Sequence, residues 1–297
     1  MPVLRPVSRT REAIDNTMDT PAHTELRTRT PRTIEEMALQ RLALRKFAPN
    51  TGDLLGAQLP CGAWSNRPVT AIPNAYTTGL ALIALANSPW APEVRSAVER
   101  GFSWLERTRG REGHWLWQWK FRLFDRQVRF DPSKFGWPWV ENTLSWVAPT
   151  SIALLAYRAW HRPSERVPSA LAMLEDRACS AGGWNAGNGH AFGVDLDPHP
   201  DFSAMALCAL RAHGEGGSSL VEGTAQLLGR RLEECGSAYS LAWGVLALQR
   251  SSGRHLGTLV ESLHRISDPN AATLNTATLA LTALALESPA FDFGTRA

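Results

Sequence analysis

The chain has 297 residues, of which 44% are hydrophobic and 20% are charged, and its formal net charge is +3. These proportions are typical of a soluble globular protein. No apolar run approaches the roughly 20 residues that span a bilayer, which excludes a transmembrane segment, and no dense basic stripe indicates a nucleic-acid partner. Four cysteines, none of them in C-x-x-C spacing, predict reduced thiols and a cytoplasmic protein.

The N-terminal part of the chain, residues 1–32, is rich in Arg, Thr and Pro and has no hydrophobic period. This composition predicts a disordered tail. Residues 33–297 are predicted to form a single domain. Its first helix is expected to begin after Thr33, because Thr33 and Glu36 have the spacing of a capping box.

A short phrase recurs along the domain: a small residue, an aliphatic residue, any residue, Ala, and a large apolar residue. Its Ala occupies positions 84, 156, 209, 247 and 283. The last two intervals are 38 and 36 residues, and the first, 72, is twice 36. A period in this range is typical of stacked helical hairpins.

The predicted helices are of two kinds. Those that carry the phrase are Ala-rich and nearly uncharged, whereas those between them carry charges on one side. An apolar helix is buried all round and a half-charged one faces water, so the alternation predicts an inner and an outer ring. We therefore expect an all-α protein, an α/α toroid of helical hairpins, complete or incomplete. The predicted helices after the first are 75–87, 92–108, 149–161, 166–178, 201–213, 218–233, 237–250, 255–265 and 273–286.

Residues 114–131 break the helical rhythm. Large apolar residues occupy every odd position from Trp115 to Leu123, which is the period of a β-strand. We predict a β-hairpin insertion with one aromatic face. This face is expected either to seal one mouth of the barrel or to form the wall of an apolar pocket.

Three Gly-x-Trp triplets lie in loops between predicted helices: Gly62-Ala63-Trp64, Gly113-His114-Trp115 and Gly182-Gly183-Trp184. With the inner-helix starts Ser203-Ala204 and Pro149-Thr150, this pattern resembles the prenyltransferase/squalene oxidase repeats of the terpene cyclase and protein prenyltransferase superfamily. The resemblance covers about residues 50 to 290. It implies an α/α toroid around an apolar cavity and an isoprenoid ligand. The residues alone favour a structural role in which Trp64 and Trp184 staple helix ends together.

The resemblance also implies a candidate acid. Class II terpene cyclases protonate an alkene or epoxide with the middle Asp of an Asp-x-Asp-Asp motif that precedes Thr-Ala. Aligning Ser203-Ala204 with that Thr-Ala places Asp201 on the acid, while His199 and Phe202 replace the flanking carboxylates. Asp197 is a further candidate from the same loop, and Asp201 is also well placed to cap the helix 202–212. The predicted walls of a substrate pocket are Trp117, Trp119, Trp137, Trp139, Trp146 and Trp184.

Other functions stay open at this point. No Asp-Asp-x-x-Asp motif is present for Mg²⁺, although the alternate residues Asp195, Asp197, His199 and Asp201 could offer ligands, so we predict no metal and no cofactor. The first choice is an isoprenoid-handling protein, either cyclase-like or prenyl-transferring. The alternatives are a non-catalytic toroid that binds a lipid or a protein, and an α/α-barrel glycosidase with Glu141 among its carboxylates.

Overall fold

The computed structural model describes residues 20–47, 50–67, 69, 71–123, 129–251, 255–287 and 291–294. This part of the chain is mostly helical, and its strands form two short antiparallel pairs. The all-α prediction is therefore confirmed. None of the described helices combines the length and apolarity needed to cross a bilayer.

The helices are α1 Pro21–Leu26, α2 Ile34–Ala43, α3 Gly52–Gly56, α4 Ala75–Ala86, α5 Pro92–Arg107, α6 Trp115–Leu123, α7 Val147–Ala159, α8 Arg166–Asp176, α9 Pro200–Ala212, α10 Ser219–Leu232, α11 Ala238–Leu248, α12 His255–Ser267 and α13 Thr276–Leu286. The strands are β1 Trp64–Ser65 paired with β2 Pro73–Asn74, and β3 His190–Ala191 paired with β4 Val194–Asp195. The α2 start was predicted correctly, since Thr33 and Glu36 form a capping box.

Six helices, which we call the inner helices, make an unbroken series of contacts. In order, α2 contacts α4, α4 contacts α7, α7 contacts α9, α9 contacts α11, α11 contacts α13, and α13 contacts α2. Their side chains explain this arrangement, because α4 is buried over its whole length and α7 over all but Arg158. A helix without a charged face gains most when apolar neighbours surround it.

Small residues allow the inner helices to approach closely. A Cβ atom on Gly79 of α4 would lie 2.8 Å from Cγ2 of Ile152 on α7 and 3.1 Å from the Ile152 carbonyl. Those distances are below normal van der Waals contact, so only glycine fits there without a shift.

The more polar helices pack outside the inner ones. α5 contacts α4, α8 contacts α7, α10 contacts α9 and α11, and α12 contacts α11 and α13. The apolar residues of α5, among them Val94, Phe102 and Leu105, are buried on one side, while its charged residues are exposed. This amphipathic pattern is the one expected for an outer layer.

Three tryptophans fasten the outer helices to the inner ones. Each is fully buried, and its indole N–H donates to a carbonyl of a helix earlier in the chain, α3, α5 or α8, while its backbone N–H donates to a hydroxyl near the start of the next inner helix. The indole bonds run from Trp64 to Leu54, from Trp137 to Leu105 and from Trp184 to Leu174, at 2.7, 2.9 and 2.6 Å. The backbone bonds run to Thr78, Thr150 and Ser203. The staple interpretation of Trp64 and Trp184 is confirmed.

Part of the predicted tail is ordered. Residues 1–19 lie outside the described residues, but residues 21–26 form α1, which contacts α13 and buries Ala22, His23 and Leu26. The prediction of disorder is wrong for this segment. Two apolar residues on one helical turn are enough for docking but too few to produce a hydrophobic period.

The predicted β-hairpin is also wrong where the structure describes it, because residues 115–123 form the helix α6. The error arises because a set of apolar residues at every second position also contains residues four positions apart, and these lie on one face of a helix. Trp117 and Phe121 therefore share one face of a helix, with ring centroids 6.0 Å apart, and Phe121 contacts Phe130 at 5.2 Å. Residues 124–128, which would have held the turn, lie outside the described residues.

Candidate functional site

Four side chains from the first turns of inner helices meet at one end of these helices. They are Glu35 on α2, Tyr76 on α4, Asp201 on α9 and Tyr239 on α11, and we call them the polar cluster. Each is the second residue of its helix. Interactions of Tyr76 with Glu35, of Tyr239 with both, and of Asp201 with Tyr239 bring these helix starts together.

The centre of the polar cluster is a partly buried hydrogen bond. The Tyr76 phenol donates to Oε1 of Glu35 over 2.8 Å, and the Tyr239 phenol lies close to both groups. Burial raises the pKa of Glu35 above its ordinary value, and the bond from Tyr76 opposes this rise only in part. Burial and the neighbouring carboxylate raise the pKa of Tyr76 well above its ordinary value, so Tyr76 remains a hydrogen-bond donor.

Asp201 lies close enough to Tyr239 to interact with it electrostatically. Its Oδ1 is buried and has no hydrogen-bond partner among the described residues, and its Oδ2 lies 3.7 Å from Nδ1 of the half-exposed His199. The expected capping role is wrong, since His199 occupies the N-cap position of α9 and no side chain caps that helix. A buried carboxylate oxygen without a partner is costly in a structural role, which makes a functional one attractive.

Aromatic side chains surround the polar cluster. The Trp139 ring lies 5.0 Å from the Tyr76 ring, and the Phe202 ring lies 5.1 Å from that of His199. The fully buried indole of Trp243 lies beside Tyr239. These rings make the surroundings of the polar cluster largely apolar.

The other predicted site residues are scattered. Trp137 and Trp184 are the enclosed staples described above, and the Arg166 guanidinium covers the Trp137 ring at 4.2 Å. Trp146 is the N-cap residue of α7 and packs against Gly187. Asp197 is almost fully exposed, with Arg231 3.4 Å away.

Trp117 and Trp119 belong to α6, where Trp117 is half-buried and Trp119 is exposed. A surface cleft of about 770 Å³ adjoins this helix. Trp117 is among the residues that line this cleft, with Arg107, Arg109, Arg111, His114 and Glu141. Five clefts formed by the described residues are all lined by residues other than the polar cluster.

The loop from Asp195 to Asp201 contains the residues that could have offered metal ligands. Asp195 instead accepts from Ser180 and pairs with His190 at 2.7 Å, which lowers the pKa of Asp195. Within the described ranges, no three His, Cys, Asp or Glu side chains converge as a metal site would require.

No protein-family model matches the chain, and no curated protein matches it significantly. The chemistry of the polar cluster is therefore inferred from its own side chains. Three of its four members, Glu35, Tyr76 and Tyr239, were missed by sequence reasoning, which looked for carboxylates in known motifs. Only Asp201 was predicted.

Proposed function

We propose that this protein is an α/α toroid that handles an isoprenoid at the polar cluster, with Asp201 as an acid in a cyclase-like reaction. The observation that carries the proposal is the buried, unpartnered Oδ1 of Asp201 in an aromatic setting. The order of helix contacts supports the toroid, because six inner helices that each contact two others form a closed ring when the last contacts the first.

The chemistry follows from what alkene protonation demands. The carboxyl group transfers its proton to an alkene carbon, so that a C–H bond forms, the π bond breaks and a positive charge develops on the neighbouring carbon. Aromatic faces stabilise such a cation, and Trp139 and Tyr76 would supply them. Loss of a proton from the rearranged cation to the carboxylate restores the acid. Such a reaction needs a dry site, because water would quench the cation.

A second candidate is binding without turnover. Two observations favour it. The side chains of Tyr76 and Glu35 are already hydrogen-bonded to each other, and the five clefts described above do not include the polar cluster. A binding module needs only an apolar contact surface and a few polar groups that fix orientation. Under this alternative Asp201 would orient a hydroxyl group of the ligand and transfer no proton.

The experiment compares Asp201→Asn with the wild type on a panel of prenyl diphosphates and squalene-like hydrocarbons. Product formation is measured by mass spectrometry, and binding by the shift in the unfolding temperature. Asp53→Asn is the matched control, since Asp53 is the exposed second residue of α3 and undergoes the same chemical change.

Under the acid proposal, Asp201→Asn loses activity by at least about a hundredfold and Asp53→Asn keeps it. Binding by the wild type without any product would replace the enzyme by the binding module. Neither binding nor product with any isoprenoid would reject both.

A further inference from the structure

The outer face of α6 carries apolar side chains in water. Trp115 is 64% exposed, Leu116 54% and Trp119 65%. Trp115 and Trp119 are four residues apart and so lie on one side of the helix, with Leu116 next to them. These three residues form what we call the α6 surface. The exposed Lys120 lies at its edge, with its Nζ 4.5 Å from the centroid of the Trp117 ring.

The opposite face of α6 is fixed to the protein. Trp117 and Phe121 are half-buried, Phe121 contacts Phe130, and the Arg111 guanidinium lies 4.7 Å above the Trp117 ring. The helix therefore cannot turn its exposed tryptophans inward without losing these contacts. Three large apolar groups on one short helix are more than single surface apolar residues require.

Positive charge borders the α6 surface. Arg107, Arg109 and Arg111 line the adjoining cleft, and all three are exposed. Glu141 is the acidic residue of that lining, and Glu112 nearby is fully buried against Arg177. With Lys120, the exposed groups give four cations and one anion, a net excess of three positive charges.

We infer that the α6 surface binds the surface of a membrane that contains anionic lipids. Tryptophan is enriched where a bilayer meets water, because its ring is apolar and its N–H can bond to a headgroup. A helix with Trp and Leu on one face and Lys or Arg beside them is typical of a segment that lies in this interface. The charge excess decides for an anionic membrane over a neutral apolar partner. This inference is independent of the isoprenoid proposal.

The test measures partition of the protein onto vesicles by sedimentation. The vesicles contain phosphatidylcholine with phosphatidylglycerol, or phosphatidylcholine alone. The wild type is expected to bind the anionic vesicles and to be released by salt. The variant Trp115→Ser/Trp119→Ser should weaken the partition on the order of a hundredfold, because both indoles are removed from the interface. Arg109→Gln should weaken it about fivefold.

Matched controls come from the other end of α5. Trp90 is 53% exposed and precedes this helix, which is roughly 24 Å long at 1.5 Å per residue and separates Trp90 from α6. Trp90→Ser and the exposed Arg95→Gln should bind as the wild type does. Because the substituted α6 side chains are exposed, the unfolding temperature should stay within a few degrees in every variant.

Three results would overturn the inference: no partition of the wild type onto anionic vesicles, equal partition of the tryptophan double variant, or equal loss in the Trp90 control. A concentration-dependent dimer in the absence of lipid, abolished by Trp115→Ser/Trp119→Ser, would instead assign the α6 surface to a second copy of the chain.

Discussion

Replacement of Glu112 by Gln should destabilise the protein far more than the same change at an exposed ion pair. The Glu112 and Arg177 side chains are both fully buried and lie 3.4 Å apart. Glu112 also accepts from the Ser145 backbone N–H at 3.0 Å, and Arg177 donates to Asn188 at 2.8 Å. Burial lowers the pKa of Arg177, with Glu112 as the main opposing influence. Gln keeps the shape and the acceptor for Ser145 but removes the fully buried counter-charge of the guanidinium and leaves it with the partly exposed Asp176, whose Oδ2 lies 3.8 Å from the Arg177 Nε.

Removing one partner of a buried pair costs about 3 to 5 kcal/mol, whereas an exposed pair contributes about 0 to 1 kcal/mol. The control is Glu99→Gln, whose carboxylate contacts Arg162 at 2.9 Å with both side chains partly in water. At about 2 °C per kcal/mol for a chain of this size, Glu112→Gln should lower the unfolding temperature by roughly 6 to 10 °C.

Urea unfolding gives the free energies directly. The double variant Glu112→Gln/Arg177→Met should recover part of the lost free energy of unfolding, because it also removes the buried positive charge of Arg177. If Glu112→Gln lowers the free energy of unfolding no more than Glu99→Gln does, the buried pair of Glu112 and Arg177 does not contribute the stability argued for it.

The remaining predictions concern the inner helices. Gly79→Ala should lower the free energy of unfolding by about 1 to 2 kcal/mol, since overpacking against Ile152 outweighs the gain in helix propensity. In the same urea titration, Gly223→Ala on α10, where a Cβ meets open space, should raise the free energy of unfolding by up to about 1 kcal/mol. Equal effects of the two substitutions would contradict close packing of α4 on α7. Because the pKa of Glu35 is higher in the folded protein than in the unfolded chain, the folded wild type loses stability as the pH rises above the ordinary Glu value. The Glu35→Gln variant has no such loss, so its free energy of unfolding minus that of the wild type should increase from pH 4 to pH 7. A difference in free energy that stays constant or decreases would show that burial does not raise the pKa of Glu35.

The inner helices could be predicted from the sequence because their composition leaves one option. A continuous run such as Ala75–Ala86 carries no charge and exposes nothing, so it has to be surrounded by other apolar helices. Its start was equally legible, since the Asn74 side chain accepts from the Thr77 backbone N–H as an N-cap should. Composition and capping, both local properties, therefore fixed these elements.

The α6 helix could not be predicted, because its aromatic residues satisfy both periods. Trp115 and Trp119 face water while Trp117 and Phe121 face the protein, so hydrophobicity does not mark the buried side. A helix that exposes apolar residues for a partner defeats the assumption that apolar residues point inward. The same property that misled the strand prediction is the one that indicates a docking surface.

The polar cluster illustrates a signal that was present but unread. Counting eight residues back from the repeat Ala at positions 84, 209 and 247 gives 76, 201 and 239, and counting back from Ala43 of α2 gives 35. Inner helices that pack in one register present such equivalent residues at one level, so a polar side chain at that position in a buried helix calls for a reason. The same count back from Ala156 gives Ala148, a small residue that suits helix packing. From Ala283 it gives Asn275, which is the N-cap of α13. Neither requirement explains the buried carboxylate oxygen Oδ1 of Asp201, which has no partner among the described residues. The register thus separates Asp201 from every other acidic residue of its loop, and it does so without reference to any family.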